Sequence, residues 1–118
     1  MIRVILARYA DGRFGWCRAE GHARYDAAGK DIVCAAVTIL LRTTMETLSR
    51  TAGIVVTSDA PERGSLDFSA EAESPADVPE AVKAAGQLGY AVDFLQAGLL
   101  SLQTEFPGHV LFVEEVIK

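Results

Sequence analysis

Cysteine is scarce in this chain: two occur among 118 residues, Cys17 and Cys34. Two thiols cannot build the disulfide framework of a small secreted domain, and no Cys-x-x-Cys spacing points to zinc or a dithiol redox pair. Concentrated positive charge is also missing. Eleven Lys and Arg stand against 16 Asp and Glu, a formal net charge of −5, and the basic residues (Arg3, Arg8, Arg13, Arg18, Arg24, Lys30, Arg42, Arg50) are scattered. Such a balance repels phosphate backbones, so direct nucleic-acid binding is not expected, whereas a basic protein or an unstructured peptide remains an acceptable partner. No apolar run has bilayer length, Ile32–Leu41 being too short. The opening residues lack a signal peptide's sustained apolar stretch and small-residue cleavage site. The expectation is a cytoplasmic protein without a membrane partner, its thiols kept reduced. There are no repeats and no low-complexity tracts.

What is present is globular. Half the residues are hydrophobic and 23% are charged, and a chain of this length folds as one domain, residues 1–118, that buries roughly two-thirds of its unfolded surface. Met1–Tyr9 has the β-branched, apolar character of a strand. Asp11-Gly12 is a tight-turn signal, and Arg13–Gly21 follows as the second strand of a hairpin. Residues 22–30 are small, polar or glycine-containing and read as a connection. A helix is expected from Ile32 to about Thr51, with Asp31 as its N-cap, Gly53 at its C-terminal turn, and Val33, Val37, Leu40, Met45 and Leu48 as its apolar face.

Ile54–Ser58 and Ser65–Ala72 make a second hairpin, in which Leu66, Phe68 and Ala70 alternate with polar residues. Asp77 and Glu80 have capping-box spacing around Pro79, opening a second helix that runs to about Glu105. Its stripe of Leu88, Val92, Leu95, Leu99, Leu102 and Phe106 reads as a core face rather than an oligomer seam. Gly86, Gly89 and Gly98 weaken that helix and suggest close approach of another backbone. His109–Ile117 is the last strand. The order ββαββαβ implies an α+β fold: a two-layer domain with a mainly antiparallel sheet and two helices.

Cys34 is the third residue of the first helix, where exposed N–H groups and the helix dipole favour a thiolate; a carboxylate at Asp31 opposes them. His22 closes the preceding strand. A nine-residue connection can fold back so that strand end and helix start adjoin, placing an imidazole where it can take the thiol proton. From the residues alone, Cys34 as a small core side chain and His22 as a surface or capping side chain are the more usual readings. A metal site of His22, Asp31 and Cys34 would have a mixed ligand set matching no familiar zinc pattern, so no metal and no other cofactor is expected.

The stretch Gly21-His22-Ala23, a connection containing Gly29, then Asp31-Ile32-Val33-Cys34-Ala35-Ala36-Val37 resembles the signature of the ribosomal-processing cysteine protease family, known as Prp. The specific likeness covers residues 21–38; the remainder is similar in length and element order. The resemblance implies a cysteine endopeptidase that removes a short N-terminal extension from a large-subunit ribosomal protein during ribosome maturation. It also implies a small homodimer with a Cys/His dyad, here Cys34 as nucleophile and His22 as base. The family commonly has serine four residues after the cysteine, where this chain has Thr38. Threonine keeps the hydroxyl and adds a methyl group, so substrate preference or rate could differ. Its hydroxyl could equally bond back to the preceding turn.

Asp31 is read as a helix cap rather than a third catalytic residue, and Gly21 and Gly29 as backbone-geometry residues. Tyr25 is read as an exposed loop tyrosine, with contact to a bound peptide as the alternative; Cys17 is a buried strand residue and His109 a strand-edge residue. Two further classes of function fit the same composition. One is a non-catalytic dimeric binding protein for a ribosomal partner, and the other is a thiol redox sensor with Cys17 as resolving cysteine.

Overall fold

The computed structural model describes residues 1–21, 32–60, 64–75 and 77–118. Its elements are β1 (Ile2–Tyr9), β2 (Phe14–Gly21), α1 (Ile32–Ser49), β3 (Ile54–Asp59), β4 (Ser65–Ala72), α2 (Pro79–Glu105) and β5 (Val110–Ile117). The five strands form one sheet in the order β3-β4-β2-β1-β5. All neighbours are antiparallel except β1 and β5, which run parallel. This is the expected α+β architecture in the expected order.

Local chemistry accounts for the hairpin that starts the sheet. The Asp11 carboxylate accepts the Arg13 backbone N–H at 3.0 Å and its Nε at 2.8 Å, closing the turn between β1 and β2. Register then sorts the side chains. Ile2, Val4 and Leu6 lie opposite Gly21, Ala19 and Cys17, and Cys17 and Ala19 lie opposite Phe68 and Leu66 of β4. Those positions share the face covered by the helices, and Val4, Leu6 and Cys17 are fully buried there. The opposite face is open and carries cross-strand ion pairs. Arg18 Nε meets Asp67 at 3.0 Å, Arg3 approaches Glu20 at 3.8 Å, and the Arg18 guanidinium lies over the Trp16 ring.

Both helices contribute buried stripes to the core. In α1 the buried residues are Val33, Val37, Leu41, Thr44 and Leu48. Leu41 replaces Leu40 and Met45 as the centre of the apolar face; those two are only partly buried at its margins. The helix is therefore rotated slightly from the orientation that hydrophobicity alone suggests, because a threonine occupies one inward position. Thr44 is tolerated there since its hydroxyl donates to the Leu40 carbonyl at 2.8 Å. By length and composition α1 would also suit a bilayer, but here its buried stripe packs within the core. The helix ends at Ser49, two residues earlier than expected, and Gly53 beyond it takes the left-handed conformation (φ +83°).

In α2, Ala81, Ala84, Leu88, Val92, Leu95 and Leu99 are buried, with Leu102 and Phe106 partly buried against the same core. The stripe is a core face, as its spacing indicated. Three expectations for this region need correction. The cap residue is Val78, with no side-chain cap hydrogen bond, rather than Asp77. Starting one residue later puts Pro79 at the first helical position, where its missing N–H costs nothing. The glycines admit no neighbouring backbone within the fold. A Cβ at Gly86 or Gly89 would meet nothing within 4 Å, and Gly98 faces the side chain of Leu40. His109 lies just before β5, its backbone carbonyl accepting the Ile2 N–H at 2.9 Å.

This packing makes two measurable predictions. Leu95 is fully buried, so Leu95→Ala should lower the unfolding free energy by about 2–5 kcal/mol in a urea titration. Burial, with a smaller contribution from the nearby Asp67 charge, pushes the Cys17 thiol up from 9.0 to about 12. The thiol therefore stays neutral in the folded protein while the unfolded chain ionises near pH 9, so this contribution to stability should be complete below pH 9 and fade as pH rises toward 12. Mass spectrometry after iodoacetamide treatment at pH 8 should show one labelled cysteine, Cys34, in the native protein and two in denaturant.

Candidate functional site

Cys34 is the third residue of α1 and is half-buried at the edge of the core. Its environment is set by backbone pairing. The last residue of β2, Gly21, pairs in register with Ile2 and donates its N–H to the Gly64 carbonyl at 2.9 Å. Gly21 has φ +97°, and a Cβ there would collide with the Met1 carbonyl oxygen. Both facts require glycine, which accords with the geometric role expected of Gly21. The strand end is thereby clamped between β1 and the residue leading into β4.

Gly21 and Cys34 line the same groove, which encloses about 450 Å³. Along α1 its wall is the row Cys34, Thr38 and Arg42 at steps of four, with Val37, Leu41 and Met45 beside it. Ile2, Ala19 and Leu66 make an apolar floor from the sheet, while Arg42 supplies a charged side chain from α1. The groove thus offers a sulfur, a hydroxyl, an apolar depression and a guanidinium, a combination suited to an extended peptide. No acidic side chain lies in the first turn of α1, so the positive end of the helix dipole acts on Cys34 without opposition from within that turn.

Of the residues singled out in the sequence, Cys34, Thr38 and Gly21 come together at this groove. His22, Gly29 and Asp31 lie outside the described residues, as does Tyr25. Cys17 is on β2, facing the core. Sequence reasoning missed Arg42, Met45, Gly64, Leu66 and the other groove-lining residues. Arg42 was accessible to it, as the next position in the four-residue row that starts with Cys34 and Thr38. The residues contributed by β1, β2 and β4 carry no local signal, because only strand register brings them to the helix. Among the described residues no cluster of His, Cys, Asp and Glu could hold a metal ion.

The family described as cysteine protease Prp matches residues 1–111. No curated protein matches the chain. Among solved structures, the Staphylococcus aureus ribosomal processing protease Prp with a covalently linked product peptide superposes with a TM-score of 0.78 at 16% identity, covering 98% of this chain and 100% of that one. The same S. aureus protease with a substrate peptide gives a TM-score of 0.76 at 15% identity, covering 98% and 100%. SMU.848 from Streptococcus mutans gives 0.75 at 21% identity, covering 99% and 96%. At these identities the superpositions establish a shared fold. The match over residues 1–111 carries the assignment further: this chain belongs to the cysteine protease family Prp.

Proposed function

We propose that this protein is a cysteine endopeptidase that removes a short N-terminal extension from a large-subunit ribosomal protein precursor, with Cys34 as nucleophile and His22 as general base. The observation that carries the reading is that Gly21, the chain neighbour of His22, lines the same groove as Cys34. The S. aureus relatives hold a substrate peptide and a covalently linked product peptide, which supports a peptide as the occupant of this groove.

The reaction runs through a thioester. His22 accepts the Cys34 thiol proton, the sulfur attacks the scissile carbonyl, and the proton passes to the departing amine as the C–N bond breaks. Water then hydrolyses the thioester, releasing the new carboxylate and restoring the thiol. The dipole of α1 stabilises the thiolate before attack. Asp31 caps that helix, Gly29 and Gly21 set the course of the chain around the site, and Thr38 borders the bound peptide. The protein works in the cytoplasm as a homodimer and requires no cofactor.

A redox-sensing role is less well supported. It needs Cys17 as resolving thiol, and Cys17 is 1% exposed with its sulfur held neutral by burial, the opposite of a reactive cysteine.

Incubation with the source organism's own precursor, read by intact mass, should show loss of the N-terminal segment. Cys34→Ala should abolish the cleavage while leaving the circular dichroism spectrum unchanged; full cleavage by that variant would remove Cys34 from the mechanism. His22→Ala should lower kcat/KM by about 10²–10⁴-fold, and a loss below threefold would assign the base elsewhere.

A further inference from the structure

We infer that Arg42 makes the groove prefer a peptide with a carboxylate side chain roughly three or four residues from the scissile bond. This rests on the peptide-cleaving role proposed above and supplies a specificity that role leaves open.

Cys34, Thr38 and Arg42 follow one another at four-residue steps along one wall of the groove. Eight residues of helix, at about 1.5 Å each, set Arg42 about 12 Å along the axis from the nucleophile. An extended peptide rises about 3.3 Å per residue, so that distance spans roughly three or four of its residues. The path does not close at Arg42. Arg42 and Met45 also line a second depression with Glu46, Ser49 and Arg50, so a peptide that reaches the guanidinium has room to continue along α1.

An arginine on a helix surface is ordinarily paired or left to solvent. Arg42 instead borders a groove, and it joins none of the ion pairs among the described residues. Neither neighbouring glutamate takes it up. The Glu20 side chain is turned to the open face of the sheet, where it approaches Arg3 at 3.8 Å. Glu46, one helical turn on, borders the second depression together with Arg50. The planar guanidinium therefore has N–H donors to offer, and a carboxylate can accept two of them side by side. The net charge of −5 opposes an acidic peptide. At physiological salt that opposition fades over about 8 Å, whereas a contact pair with Arg42 needs no range.

Binding and cleavage test this separately. Peptides spanning the precursor's cleavage site would carry Glu, Ala or Lys at each position in turn on both sides of the bond. Their binding to Cys34→Ala would be followed by fluorescence anisotropy. At the third or fourth position on one side, Glu should bind about tenfold more tightly than Lys. Adding Arg42→Lys should keep that order, and adding Arg42→Glu should invert it, a reversal that a merely structural arginine would not produce. In the active enzyme the preference should appear in KM with kcat little changed, because Arg42 stands away from the reacting atoms. No binding, equal binding of Glu and Lys at every position, or an order that Arg42→Glu leaves unchanged would overturn the inference. Intact mass of the precursor judges the protease reading independently. An uncut precursor beside a charge preference that Arg42→Glu reverses would sink cleavage and retain Arg42 as a peptide-binding residue.

Discussion

The site depends on one constraint of backbone pairing: the end of β2 is held where α1 begins. Gly21 is hydrogen-bonded to Gly64 on one side and registered with Ile2 on the other, and its positive φ turns the chain at a point where any side chain would strike Met1. Cys34 is anchored from the opposite direction by Val33 and Val37, both buried in the core. Strand end and helix start are thus fixed independently, each by contacts that have nothing to do with chemistry. The groove between them is a product of the fold.

The same packing distinguishes the two cysteines. Both sit against the hydrophobic core. Cys17 points from β2 into the space between Leu6 and Phe68, where desolvation suppresses the thiolate. Cys34 borders the groove near the start of α1, where the helix dipole acts in favour of an anion. One residue type serves as core filler in the first place and as a candidate nucleophile in the second, and the difference lies in solvent access and dipole alignment.

Much of this was legible from the residues because strong periodicities met clear punctuation. The alternation in β4, the Asp11-Gly12 turn and the leucine stripe of α2 each reported on neighbours within a few positions, and the structure agrees with all three. The rest required long-range information. Nothing near Arg42 or Leu66 says that they border one groove; that follows from β4 pairing with β2 and from α1 and this part of the sheet lining the same groove. The helix cap at Val78 was misplaced because the Asp77–Glu80 spacing imitates a capping box, whereas Pro79 at the first helical position decides the start. Gly86 and Gly89 signalled close approach of a backbone, but none within the fold answers to it. The stretch carrying the family likeness, residues 21–38, gave the clearest signal of function, although its part from 22 to 31 lies outside the described residues.

The central claim is that an imidazole makes the Cys34 sulfur nucleophilic at neutral pH. The direct measurement is the rate of Cys34 alkylation as a function of pH in the wild type and in His22→Ala. The account predicts that wild-type Cys34 reacts rapidly well below the ordinary thiol pKa of about 8.5, and that the variant's profile moves upward toward that value. Superimposable profiles would contradict it, because His22 would then have no influence on the sulfur it is proposed to activate.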